Sequence, residues 1–228
     1  MWFNDLSTFP VTYSVILLCV ITWLLITYQG WSYDIVGCNY DRVVIYKETW
    51  RWITSTLSHV SFLHLVLNMY SLWNMRWMEQ AFTSFVYFMW SILIAFLSTF
   101  VTLCIYYLQL LFFQREQVRY IYMVGYSAVL FGLLVIASRH MKVSNVVLFG
   151  IFEIPPSWLP FVSMGLVTLL VPEASVVGHS SGIFLGFLID WNDDYLVQSP
   201  WCWIWLLGIA TITTIAFAFR TTPTFISF

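Results

Sequence analysis

Charge is what this sequence has least of. Nine Lys or Arg and eleven Asp or Glu serve 228 residues, 9% of the chain, while 61% is apolar, far from the balance of a soluble domain. No run of Lys or Arg occurs and the formal net charge is −2. Nucleic acid is thereby excluded as a partner, because affinity for phosphate backbones needs clustered cations. Cysteine is scarce as well: Cys19, Cys38, Cys104 and Cys202 make no CxxC pair and no metal-like spacing, so no disulfide framework is indicated. No His-Glu-x-x-His occurs, which argues against a zinc protease, and neither a metal nor another cofactor is called for.

The charges are also unevenly placed. The windows 6–33, 52–75, 80–114, 120–138, 154–172, 174–189 and 195–219 contain no Asp, Glu, Lys or Arg. Each is near or above the roughly 17–25 residues that cross a hydrocarbon core as a helix. A further gap, 143–152, is too short to span. All seven prolines lie at or near the ends of these windows and none in the middle, as a residue without an N–H should. Trp31, Trp50, Trp52, Trp77, Trp158, Trp191 and Trp201 cluster near the same ends, like interfacial aromatic belts, while Trp23 and Trp90 are expected to face lipid or neighbouring helices.

The spacing predicts helices near 11–28, 53–75, 82–107, 120–138, 157–172, 174–189 and 200–219. The fold class is an all-α polytopic membrane protein, integral and multi-pass, with residues 1–228 as a single membrane domain and no room for a soluble one. Its surroundings are the lipid bilayer. The first apolar stretch has no basic n-region and no small-residue cleavage site, and is read as a retained helix. Lys and Arg divide too evenly between the two sides to fix orientation, and the oligomeric state is open.

Polar groups at membrane depth are functional candidates, since hydrocarbon offers them no water. The second span holds His59, His64, Asn68 and Ser71. On one continuous helix His64, Asn68 and Ser71 share a face, and His59 points about 140° away from His64. The fourth span holds Gly125-Tyr126-Ser127-Ala128, and the sixth holds Gly178-His179-Ser180-Ser181-Gly182 followed by Gly186. Small residues let membrane helices approach closely, so spans four and six are expected to touch. With alternating spans, the starts of spans two, four and six open on the same side. Ser127 would then lie about 10 Å into its helix and His179 about 8 Å into its own. At matched depth a histidine can serve as base for a serine hydroxyl. Alternatives stand beside this: a serine in a membrane helix commonly bonds its own i−4 carbonyl, and a histidine or a Gly-x-x-x-Gly stripe commonly serves packing.

Glu48-Thr49-Trp50-Arg51, followed by His59, His64 and Asn68, resembles the first-loop and second-helix signature of rhomboid intramembrane serine proteases. Gly125-Tyr126-Ser127 resembles that family's Gly-x-Ser nucleophile site, and His179 with Gly182 and Gly186 its catalytic-histidine helix. The similarity covers about residues 11–190, a six-helix core, with 200–219 as an additional C-terminal helix. Several features are similar to the endoplasmic-reticulum branch: a long third span, Val124-Gly125-Tyr126-Ser127, and Gly178 before the histidine.

Position by position, the resemblance implies Ser127 as nucleophile and His179 as general base and then acid. His64 and Asn68 would donate to an oxyanion, helped by the Ser127 amide. Gly125, Gly182, Phe131 and Arg51 would support the site, Phe131 by stacking on the histidine and Arg51 as a structural anchor. Every Asp and Glu lies outside the spans, and Glu173 is the nearest to His179 in sequence, so a Ser–His dyad is expected rather than a triad. Ala128 stands where the family commonly has glycine. The implied substrates are transmembrane segments of other membrane proteins, and the implied location is the endoplasmic reticulum or secretory pathway. The alternative is a catalytically silent, derlin-like factor that binds membrane clients, although such relatives typically lack the serine and histidine present here. An unrelated transporter should show repeat symmetry or ion ligands within the spans, and neither is found.

Overall fold

A computed structural model describes residues 7–148, 150–171 and 174–191. The expected seventh helix, 200–219, lies outside the described residues. The first span is α1 (Pro10–Gln29). The long loop after it contains a single turn, α2 (Tyr33–Val36), and a wide turn over Asp41–Ile45. Next come α3 (Arg51–Leu57), α4 (Phe62–Asn74) and the short α5 (Trp77–Phe82). The third span, α6 (Ser84–Phe113), has 30 residues. It is followed by α7 (Ser127–His140), α8 (Leu159–Leu170) and α9 (Val176–Trp191).

The innermost helix is α7. Val129, Leu133, Val135, Ile136 and Ala137 have no exposed surface, and together with buried Leu130, Phe131 and Ser138 they occupy all sides of the helix, the pattern of an element enclosed by others. It packs mainly against α9 and α6, around a core that includes Leu72, Trp90, Ile94 and Ile189. By contrast α1 is peripheral: Leu17, Leu18, Leu24 and Leu25 are exposed, as lipid-facing residues are. Its start is held by Glu79, buried in α5, which accepts from the Val11 and Thr12 amides at 2.7 and 2.9 Å and from Thr12 Oγ1 at 2.8 Å. These amides belong to the helix's unpartnered first turn, and the carboxylate also complements its dipole.

Two spans depart from the sequence expectation near the site. The second is not continuous over 53–75 but breaks at Ser58–Ser61, where Ser58 and Ser61 are extended. Hydroxyls crowd the turn before the break: Thr54, Thr56 and Ser58 each bond the carbonyl four residues back at 2.7–3.2 Å, and Ser55 does the same to Arg51. Such back-bonding competes with the helix's own amides. The fourth helix begins at Ser127 rather than near 120. Upstream, Cys38 and Met123 exchange two backbone hydrogen bonds of 2.8 Å. The Asn39 side chain donates to the Arg119 and Ile121 carbonyls. This pairing keeps residues 121–124 out of a helix, and a bend at Gly125 and a turn at Tyr126 lead into Ser127. Between α7 and α8, a two-stranded hairpin pairs β1 (Val146–Leu148) with β2 (Phe152–Ile154), a small addition to an otherwise helical chain.

Candidate active site

Ser127 is the first residue of α7 and His179 the fourth of α9. Both groups therefore sit at helix starts, and Ser127 does not lie the expected 10 Å inside its helix. His179 Nε2 is 2.9 Å from Ser127 Oγ. The imidazole is buried and the serine half-buried. A proton can pass between them directly, which is the geometry a serine nucleophile requires of its base. Phe131, one turn along α7, lies against the imidazole with ring centroids 4.6 Å apart and planes inclined at 40°. Among the described residues no group hydrogen-bonds His179 Nδ1, so no third member completes a triad there. Glu173 lies outside the described residues.

Glycine brings the two helices this close. A Cβ on Gly182 would stand 2.0 Å from the Ala128 carbonyl oxygen, and one on Gly186 would stand 2.5 Å from the Gly132 carbonyl oxygen. No side chain fits either place. Gly125 has φ +104°, and a Cβ there would lie 2.5 Å from His64 Cε1 and 2.9 Å from its Nε2. The His64 ring thus covers the backbone just ahead of Ser127. The Gly125 amide itself donates to the Ser55 carbonyl at 2.9 Å.

His64 and Asn68 are on α4, and Asn68 is buried with its Nδ2 donating to the His64 carbonyl at 2.8 Å. Its Oδ1 has no partner among the described residues. The partners of Arg51 lie in the first loop rather than at the reacting pair. Its side chain is buried, donates to the Gly37 carbonyl at 2.7 Å and pairs with Glu48, which also meets Arg42 at 3.3 Å. It ties the long first loop to α3.

His59 is the residue that helix geometry misplaced. Because the chain breaks before α4, its ring comes to 5.1 Å from that of His64, centroid to centroid, instead of turning away. Its Nδ1 meets the Leu57 carbonyl at 3.2 Å and its Nε2 meets the Tyr126 amide at 3.5 Å. With Nδ1 as donor, Nε2 is free to accept, so a fully buried His59 holds the residue next to Ser127. The signal in the sequence was the crowd of Ser and Thr from 54 to 61, which weakens the helix on which the 140° estimate depended.

A Rhomboid domain matches residues 46–193. The chain belongs to the rhomboid family. Two Arabidopsis thaliana relatives are similar over most of it. Rhomboid-like protein 15 is 26% identical over 190 residues, 82% of this chain and 47% of the relative. Rhomboid-like protein 14, mitochondrial, is 32% identical over 155 residues, 67% of this chain and 46% of the relative. Rhomboid-type serine protease 2 of Eremothecium gossypii is 40% identical over 53 residues, 23% of this chain and 20% of the relative. This rhomboid thus spans about half the length of the Arabidopsis relatives it matches. Family membership and the apolar helices together make it an integral membrane protein.

Proposed function

We propose that this rhomboid is an intramembrane serine endopeptidase that cleaves transmembrane segments of other membrane proteins. The observation that carries the proposal is the 2.9 Å contact between His179 Nε2 and Ser127 Oγ in a family whose members include a named serine protease. In the reaction His179 takes the hydroxyl proton as Ser127 Oγ attacks the substrate carbonyl carbon. It then passes that proton to the departing amine, and a water deprotonated by the same ring releases the acyl group as a carboxylate.

The oxyanion needs donors already in position, each contributing about 3–4 kcal/mol to lowering the barrier. The Ser127 amide is one of the helix-start amides that lack an intrahelical partner, and the positive end of the α7 dipole lies there too. His64 and Asn68 are the side-chain donors; the Asn68 amide nitrogen gives one hydrogen to the His64 carbonyl and carries a second. The third-span length, Val124-Gly125-Tyr126-Ser127 and Gly178 support the endoplasmic-reticulum membrane as its compartment. Co-fractionation with markers of that membrane is expected, and co-fractionation with mitochondria would refute it.

The test compares wild type, Ser127→Ala and His179→Ala in native membranes against a panel of single-pass substrates with weakened helices. Cleavage by wild type and silence of both variants at equal expression is the expected result. Equal behaviour of all three would remove the peptidase and leave client binding as the activity to pursue.

A further inference from the structure

The glycine contacts between α7 and α9 set how close the two helices come, and the pairs of Arg139 and His140 with Asp190 tie them at the far end, but around His179 the glycine surface adds nothing directional beyond the Ser127 contact itself. At the start of α9 the buried hydroxyl contacts come from a third element, α6. Tyr106 Oη and Ser175 Oγ share a hydrogen bond of 3.3 Å, and Thr102 Oγ1 donates to Ser181 Oγ at 3.1 Å. Tyr106, Thr102 and Ser181 are all buried. Ser175 stands just ahead of α9 and caps it: its Oγ accepts from the Gly178 amide at 3.1 Å, and its carbonyl accepts from the His179 amide at 3.0 Å. The histidine is therefore bracketed by hydroxyl contacts to α6, one turn before it and two residues after it.

We infer that Tyr106 and Ser175 form a positioning relay that fixes the roll of α9, and with it the aim of His179 Nε2 at Ser127. Neither side chain touches the reacting atoms; Tyr106 acts through Ser175, and Ser175 through the backbone of residues 178 and 179. The inference rests on Ser127 and His179 being the reacting pair. Tyr106 is buried, so its hydroxyl is held by half-buried Ser175, and removing that oxygen frees the cap to turn without emptying the space that the tyrosine ring fills.

The experiment uses the full chain in liposomes, with Tyr106→Phe, Ser175→Ala, Ser175→Thr and the double variant Tyr106→Phe/Ser175→Ala. Two rates are read: covalent labelling of Ser127 by a fluorophosphonate, and kcat and KM for a transmembrane substrate, with unfolding by detergent titration as the control on folding. Tyr106→Phe is expected to lower labelling and kcat about tenfold with KM unchanged, Ser175→Ala to do the same, and the double variant to be no worse than Ser175→Ala. Ser175→Thr, which keeps the hydroxyl, should recover most of the rate. Wild-type labelling with an unaffected Tyr106→Phe, multiplicative losses in the double variant, or a loss confined to KM would overturn the relay alone. A wild type that neither labels nor cleaves, with Ser127→Ala indistinguishable from it, would overturn the peptidase assignment and the relay with it.

Discussion

A methyl group at position 125 has nowhere to go. Gly125 combines φ +104° with a His64 ring atom 2.5 Å from where a Cβ would stand, so Gly125→Ala must both strain the backbone and displace His64. If His64 donates to the oxyanion, kcat should fall by a factor on the order of 100 to 1,000, the usual effect of losing one such donor. A fluorogenic transmembrane substrate would read this, and unchanged kcat would mean His64 takes no part. His59→Leu acts differently, by leaving the Tyr126 amide without its 3.5 Å partner in a buried place, at a cost of about 1–3 kcal/mol. Detergent-titrated unfolding should report that loss, and an unaltered midpoint would show the contact to be idle. His64, Asn68, Ser127 and His179 were legible in the sequence as polar groups at depth. His59 was legible only as a histidine: the Ser and Thr crowded from 54 to 61 point to a weakened helix, but where the ring comes to rest depends on how α3 and α4 are joined, which no local pattern records.

At the scale of elements, glycines that another helix's backbone touches contrast with one that nothing touches. Gly182 meets the Ala128 backbone, whereas a Cβ on Gly165 of α8 would have nothing within 4 Å. Gly182→Ala should therefore push α9 off α7 and destabilise by about 1–3 kcal/mol or more, as overpacking does. Gly165→Ala should be neutral or slightly stabilising, since alanine favours helix by up to about 1 kcal/mol. Opposite shifts of the unfolding midpoint check the pair, and similar shifts would mean the helix contact is looser than it looks. Charge-free windows revealed where the spans are, because hydrocarbon excludes charge whatever the packing. They did not reveal where helices start: residues 120–126 are apolar enough for a helix, yet the backbone pairing of Cys38 with Met123 keeps 121–124 out of one, and a bend at Gly125 follows. That pairing joins residues far apart in the chain and leaves no local trace.

For the molecule as a whole, helix lengths set how deep the proposed reaction lies. The helix α7 has 14 residues, or about 21 Å at 1.5 Å each, against a hydrocarbon core of about 30 Å. Its far end carries Arg139 and His140, which pair with Asp190 at the end of α9. Charged groups of this kind belong at an interface. Counting back from them puts Ser127 about 20 Å across the membrane, so about 10 Å beneath the opposite face, the side of the long first loop. A substrate helix reaches that depth about seven residues in from the same face, and it must unwind there, because a helical carbonyl is already hydrogen-bonded. A Gly-Gly pair moved one residue at a time along a single-pass substrate should give a cleavage maximum in its first two turns from that face, falling several-fold when the pair reaches the bilayer centre. The rates are measured with the enzyme and each substrate in the same liposomes. Rates independent of the pair's position would mean that unwinding does not limit cleavage, and a maximum at the centre would place Ser127 deeper than the length of α7 allows.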